Sequence, residues 1–173
     1  MHPNLRPLTR DDADAIFAIY AEGMATGNAT FDTVVPDWPT WDKKYLKHSR
    51  LVWEDDGEVL GWVGIMPSST RVIYRGVADL SVYVAAKASG RGIGQALLEG
   101  LIEASEDNGI WTLQALILAE NAASRRLHAR CGFREVGIRE RVSQRDGVWR
   151  DSVLMERRSN VIGVERPGLS SLV

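Results

Sequence analysis

The stretch that decides the fold is Ala78–Leu98, ADLSVYVAAKASGRGIGQALL. Asp79 aside, Ala78 to Val84 is apolar or β-favouring and predicts a buried strand. Ser89, Gly90, Gly92 and Gly94 leave the next segment almost bare of side chains. Leu97, Leu98, Leu101 and Ile102 then recur at helical spacing. A strand feeding a bare turn and a helix N-terminus builds an anion site, because backbone N–H groups point outward and the helix dipole favours negative charge. Three occupants compete on these residues alone. A dinucleotide fingerprint needs a third glycine at a spacing where Gln95 and Leu97 stand. A Walker loop needs Lys-Ser or Lys-Thr after its last glycine, and Gln95-Ala96 follows instead. The third occupant is the pyrophosphate of coenzyme A, and the rest of the chain has to decide.

A chain of 173 residues predicts one domain with a real hydrophobic core. Hydrophobic residues at 45% and charged ones at 25% suit a soluble globular protein. A net charge of −2 supplies no general attraction for nucleic acid or an anionic membrane. Cys131 is the only cysteine, which excludes an intrachain disulfide and a cysteine-rich metal site, so no metal is expected. The N-terminus has no apolar core of signal-peptide length, and no apolar run approaches the ~20 residues of a membrane span. A cytoplasmic protein is the expectation.

Outward from the central stretch, Leu5 to Leu8 reads as a first strand and Thr9 with Asp12 as a helix start. Ala13, Ile16, Phe17, Ile19 and Tyr20 give that helix its apolar face. Gly23 to Asp37 reads as a loop, long enough to expect a function for it. Pro39 fits the first turn of a second helix. Leu51 to Glu54 and Glu58 to Met66 read as a hairpin across Asp55-Asp56-Gly57. Beyond the central helix, which ends near Asn108-Gly109, Thr112 to Leu118 is a strand and Asn121 to Arg130 a short helix. Phe133 to Glu140 and Val148 to Glu156 then pair across Gln144-Arg145-Asp146-Gly147. Residues 1–156 form the domain, and 157–173 a weakly ordered tail. The order of elements predicts an α/β fold with a mixed sheet and few crossovers.

This order, the loop Gly90-Arg91-Gly92-Ile93-Gly94-Gln95-Ala96, and the later Asn121-Ala122-Ala123-Ser124, Leu127-His128 and Gly132-Phe133 resemble the GNAT N-acetyltransferases. Ser81-Val82-Tyr83-Val84 and Asn121 through Phe133 resemble, more narrowly, the phosphinothricin and methionine sulfoximine acetyltransferase branch. The resemblance implies a GNAT fold, with a mixed, mostly antiparallel central sheet flanked by helices. It implies acetyl-CoA as cosubstrate, a small-molecule amine acceptor and a homodimer. Backbone groups around Val82, Tyr83 and Val84 would pair with the pantetheine amides. The amides of Gly90, Arg91, Gly92, Ile93, Gly94, Gln95 and Ala96 would hold the pyrophosphate, with a dipole contribution of ~0.3–1 kcal/mol. Asn121 would bind the pantetheine arm, with Ser124 and Arg130 along the cofactor. Arg75 matches a substrate-side arginine of the branch, where a guanidinium forks onto a carboxylate. Tyr74 would share that work, and Phe31, in the Gly23 to Pro36 loop, would cover the acceptor. Two positions depart from the pattern. Ser89 stands where the superfamily usually has Gln or Arg, and Ala85 where the branch often has a second arginine.

The acceptor amine must be neutral when it attacks a thioester. For an α-amino group with a pKa of about 8 the deficit at cytoplasmic pH is under about 1 kcal/mol, whereas a lysine near 10.4 needs about 4 kcal/mol. An amino-acid acceptor therefore requires no strong base. Asp79, where the branch has Glu, would orient the ammonium or drain its proton through water. His128, one helical turn beyond Ser124, would act as general acid toward the departing thiolate. The branch's substrate would be a phosphinothricin-like or methionine sulfoximine-like amino acid. Two other readings stay open: a peptide or protein amine as acceptor, and a non-catalytic acyl-CoA-binding module.

Overall fold

The computed structural model describes residues 2–164. Its elements are β1 (Leu5–Pro7), α1 (Ala13–Ala25), α2 (Trp38–Lys44), β2 (Leu51–Asp55), β3 (Glu58–Pro67), β4 (Val77–Val84), α3 (Ile93–Asp107), β5 (Thr112–Leu118), α4 (Ala122–Arg130), β6 (Arg134–Arg145) and β7 (Val148–Arg158). The seven strands form one sheet in the order β1-β2-β3-β4-β5-β7-β6. All neighbours are antiparallel except β4 and β5. This is the expected mixed, mostly antiparallel sheet flanked by helices. No described helix is long and apolar enough to cross a membrane.

The two sheet faces are read from side chains on β4. Ser81 Oγ accepts a hydrogen bond from Tyr45 Oη at 3.0 Å, and the Tyr83 ring lies 4.8 Å from Tyr20 and 5.1 Å from Trp62. Asp79, Ser81 and Tyr83 therefore face α1 and α2, since alternate residues share a face. Val84 instead lies against the start of α3, its Cγ2 3.6 Å from where a Cβ on Gly94 would sit. Below α1 and α2 an aromatic cluster fills the core. Trp41 and Trp62, both at 1% exposure or less, pack with Tyr45 at centroid distances of 4.5 and 5.9 Å. Truncating a tryptophan this deeply buried to alanine costs about 3–5 kcal/mol. On the opposite face, buried Ile93, Leu97, Leu98 and Leu101 of α3 cover the sheet.

Three boundaries differ from the sequence reading. Helix α1 continues through Gly23 to Ala25, so the loop begins at residue 26. Strand β6 runs on to Arg145 rather than stopping at Glu140. A register shift between Arg139 and Ser143 and a left-handed Arg141 (φ 48°) carry it past the interruption, and Asp146-Gly147 alone makes the turn. Strand β7 extends to Arg158, pairing with Thr112 and so taking two residues from the expected tail. Of that tail, residues 165–173 lie outside the described residues.

Candidate active site

Strands β4 and β5 pair at three positions only, Val77 with Thr112, Ala78 with Leu113 and Asp79 with Gln114. Beyond Asp79 the strands part, β4 staying with β3 and β5 with β7. The Ala85 amide donates to the Leu60 carbonyl at 2.9 Å. Antiparallel alternation then turns the backbone of residues 85, 83 and 81 toward β3, and that of Leu80, Val82 and Val84 into the gap. On the far side the Ala119 amide donates to Asp151 O at 3.1 Å, so Leu116 and Leu118 turn theirs into the gap from β5. Tyr83 carries its main chain to β3, and its ring packs under α1. Main-chain donors and acceptors thus edge the gap from both sides, the Leu118 carbonyl among them also accepting from the Asn121 amide at 2.9 Å.

At the open end, the chain leaves β4 through a short turn pinned by Glu22, which accepts from the Ala86 amide at 2.8 Å. Gly90 and Gly92 both take left-handed φ, 78° and 81°, and Gly92 caps α3 with no side-chain bond to the first turn. The amides of Ile93, Gly94 and Gln95 therefore have no partner within the helix. A Cβ at Gly90 or Gly92 would meet open space, whereas one at Gly94 would sit 3.0 Å from Leu127 Cδ2 of α4. Gly94 thus sits at the close approach of α3 and α4, against the flexible end of the Leu127 side chain. Arg91 is ion-paired with Asp55 at 2.7 Å and Gln95 bonds Glu99 at 2.8 Å, so both present main chain to the turn. Ile93 is buried in the core, with Ala96 one turn into the helix donating to Gly92 O.

A cavity of about 470 Å³ fills the gap and reaches both faces of the sheet. Asp79 and Gln114, the last paired residues, line it at the apex of the split. Burial raises the Asp79 carboxyl above the usual carboxylate range, with the Ser68 hydroxyl pulling the other way. From α4 come Asn121, Ser124 and His128. Asn121 caps the helix, its Oδ1 accepting from the Ser124 amide at 3.0 Å, while its Nδ2 donates to Asn28 O at 2.9 Å. His128 is 2% exposed and its Nδ1 lies 2.8 Å from the Ser124 carbonyl. A carbonyl only accepts, so the proton sits on Nδ1 and the buried Nε2, which has no hydrogen-bond partner among the described residues, carries a lone pair. Burial also lowers the His128 pKa, against the raising effect of the Ser124 carbonyl. The neutral imidazole in this tautomer presents an acceptor at Nε2 toward the cavity.

On the α1 and α2 face the cavity is lined by Tyr20, Phe31, Asp32, Lys44, Tyr45, Ser81 and Tyr83, with Arg139 reaching in from β6. Tyr20 donates to Asp32 Oδ2, and Lys44 Nζ stands 3.7 Å from the same oxygen. Burial keeps all three tyrosines protonated, Tyr83 being pushed up to about 12 and Tyr20 and Tyr45 also raised. The segment carrying Phe31 is held through its backbone carbonyls. Arg145 donates to Thr30 O and Met24 O, each at 2.8 Å, and Asn121 to Asn28 O as above.

The structure thus brings together Asp79, Val82, Tyr83, Asn121, Ser124, His128 and Phe31 around one cavity, with Val84 on its strand edge. Tyr74 and Arg75 are not among the lining residues. Both are exposed, Tyr74 in a 3-10 turn, Val72–Tyr74, and Arg75 directly after it. Arg130, at the exposed end of α4, is likewise outside the lining. Cys131 is buried, with its thiol pushed up to about 11, which fits a packed, unreactive residue. Sequence reading missed Gln114, Lys44 and Arg139. Only the partner of Asp79 across the split, Gln114, left a trace, as a polar residue within an apolar strand.

A family model described as acetyltransferase (GNAT) family matches residues 14–133. The chain belongs to the GNAT acetyltransferase family. Among curated GNAT relatives, the phosphinothricin N-acetyltransferase of Alcaligenes faecalis is 37% identical over 163 residues, covering 90% of this chain and 82% of that protein. The L-methionine sulfoximine/L-methionine sulfone acetyltransferase of Pseudomonas aeruginosa is 32% identical, over 90% of this chain and 94% of its own length. Among solved GNAT structures, a phosphinothricin acetyltransferase from Sinorhizobium meliloti in complex with AcCoA superposes with a TM-score of 0.83. It is 27% identical and covers 94% of this chain and 91% of its own.

Proposed function

We propose that this GNAT protein transfers the acetyl group of acetyl-CoA directly to the α-amino group of a small amino-acid analogue of the phosphinothricin or methionine sulfoximine type. The observation that carries the reading is the gap between β4 and β5, edged by main-chain groups of Val82, Val84 and Leu116 and leading from the amides of α3 to the half-buried Asp79 carboxylate. A pyrophosphate fits the first-turn amides after Gly92, and pantetheine amides fit the main chain at Val82, Val84 and Leu116. Bound there, acetyl-CoA supplies a thioester carbonyl. The amine nitrogen bonds to its carbon as the C–S bond breaks, the sulfur keeps the electron pair, and the amine releases a proton. Asp79, with its raised pKa, orients the ammonium and takes that proton directly or through water. Ser124 fixes the His128 tautomer, so that Nε2 accepts a hydrogen bond from an amide N–H of the bound cosubstrate. A thiol with pKa near 8.5 leaves tolerably without a strong acid. The homodimer and the cytoplasmic location implied by the branch belong to the same proposal.

Release of CoA, read with a thiol reagent, tests it across phosphinothricin, methionine sulfoximine, methionine sulfone and peptides with free N-terminal or lysine amines. Turnover of the amino-acid analogues at the highest kcat/KM is the expected result. Turnover of peptides alone moves the acceptor to a protein amine. Tight acetyl-CoA binding with no turnover of any amine leaves an acyl-CoA-binding module and ends the enzymatic reading.

A further inference from the structure

Four charged groups line the cavity: Asp32, Lys44, Asp79 and Arg139. Asp32 is engaged by the Tyr20 hydroxyl and by Lys44. Arg139 has no ion-pair or hydrogen-bond partner among the described residues, unlike Arg145 and Arg150 on the same hairpin, which hold main-chain carbonyls and Glu120. Its place on the sheet is fixed by register. Arg139 pairs with Ser152, and Ser152 with Leu118. Gln114, Leu116 and Leu118 share one face of β5, and Gln114 pairs with Asp79. Arg139 therefore projects on the same face as Asp79, the face of α1 and α2. It stands three strand spacings away, about 14 Å, and four residues farther along, about 13 Å.

That separation decides what Arg139 can read. The α-carboxylate of an amino acid is two bonds from the amine and stays beside the reacting end at Asp79. Even at full reach the Arg139 guanidinium cannot join it there, but it can meet the far end of a four- or five-atom side chain. From the proposed acceptor class, and resting on that reading, we infer that Arg139 recognises the distal end of the acceptor and selects an anion there. A phosphinate or carboxylate fits the planar guanidinium fork through paired charge-assisted hydrogen bonds. A neutral sulfone or sulfoximine offers acceptor oxygens but no charge. With Lys44 beside Asp32, Arg139 is the cation of the lining left without an acidic partner among the described residues, and it makes the protein an acetyltransferase for amino acids with an acidic side-chain terminus.

The test compares phosphinothricin with methionine sulfone, an anionic and a neutral distal end on the same α-amino acid frame. The parent enzyme is expected to show the higher kcat/KM for phosphinothricin. Arg139→Leu should raise KM for phosphinothricin by about tenfold or more, the size of a lost charged hydrogen bond. It should leave KM for methionine sulfone and for acetyl-CoA within about twofold, and Arg139→Lys should recover part of the phosphinothricin loss. Equal losses on both acceptors, or no loss on either, overturn the inference. So does the same anion-selective penalty in Arg75→Ala with Arg139→Leu unaffected. A parent enzyme that acetylates neither compound is a failure of the proposed acceptor class instead, and unchanged acetyl-CoA affinity in Arg139→Leu identifies a folded variant.

Discussion

Replacing Gly92 by alanine separates a glycine required by backbone conformation from one that only sits at a close side-chain contact. Gly92 sits at φ 81° with open space where its Cβ would be, so the substitution meets no clash and acts through the backbone alone. Holding an L-residue in that left-handed region costs about 1–2 kcal/mol. In a domain of this size each kcal/mol lowers the melting midpoint by about 2–4 °C, which gives a fall of about 2–8 °C. The chain can escape that strain only by rotating out of the conformation that presents the Ile93 and Gly94 amides. Every 1.4 kcal/mol relieved in that way then weakens acetyl-CoA binding about tenfold. Gly94→Ala is the control. Its φ is not left-handed, and its Cβ would press on Leu127 Cδ2 at 3.0 Å, the far end of a flexible side chain. Alanine's better helix propensity, worth up to about 1 kcal/mol, offsets that contact, so the midpoint should stay within about 2 °C of the parent's. Thermal melts with and without acetyl-CoA, together with calorimetric titration, read both quantities. A Gly92→Ala protein with the parent's midpoint and the parent's affinity refutes the reasoning, as does a larger loss in Gly94→Ala.

Asp79→Asn should be more stable than the parent and much less active. Burial raises the folded-state pKa of Asp79 above its unfolded value of about 3.9, so the ionised group costs stability near neutral pH and not below the unfolded pKa. The gap in melting midpoint between variant and parent should therefore be widest near about pH 7 and close below about pH 4. A constant gap would show that another effect dominates. His128 has the opposite sign. Its folded pKa is lowered by burial, so its contribution is present above about 6.5 and lost as pH falls through the folded value. Melts of His128→Gln between about pH 4 and 8 should consequently show a shallower acid decline than the parent. Asn121→Ala removes a helix cap worth ~1 kcal/mol and frees Asn28. It should lower the midpoint and raise KM for the acceptor, and an unchanged acceptor KM would detach the loop from the site.

The order of strands and helices was legible because it rests on local periodicity, and the glycine turn because its bareness is itself the signal. Gly23 misled, since a glycine next to a loop reads as a breaker. Its actual reason is the Tyr83 ring, 2.9 Å from where a Cβ would sit, and that contact exists only once α1 lies on β4. The continuation of β6 past Glu140 depended on Arg141 adopting a positive φ, which its residue type does not announce. Asn121 was legible at the start of a short helix, but its side-chain bond across 93 residues to Asn28 was not. Arg139 was one arginine among many in the last hairpin. Its distinction comes from register through three strands, and only the folded sheet supplies that.

The short seam between β4 and β5 has a further consequence. Two half-sheets, one of four strands and one of three, are stitched at three residue pairs and left open beyond them. A ligand that bridges the opening through main chain is gripped by groups that every amino acid possesses. Side chains along those same strands are then free to change without loosening the grip. On the proposed reading the fold divides its labour accordingly, holding one partner through the backbone and meeting the other through side chains such as Asp79 and Arg139. New acceptor preferences can be drifted into by substitution on one face of the sheet while the other partner's site persists unaltered.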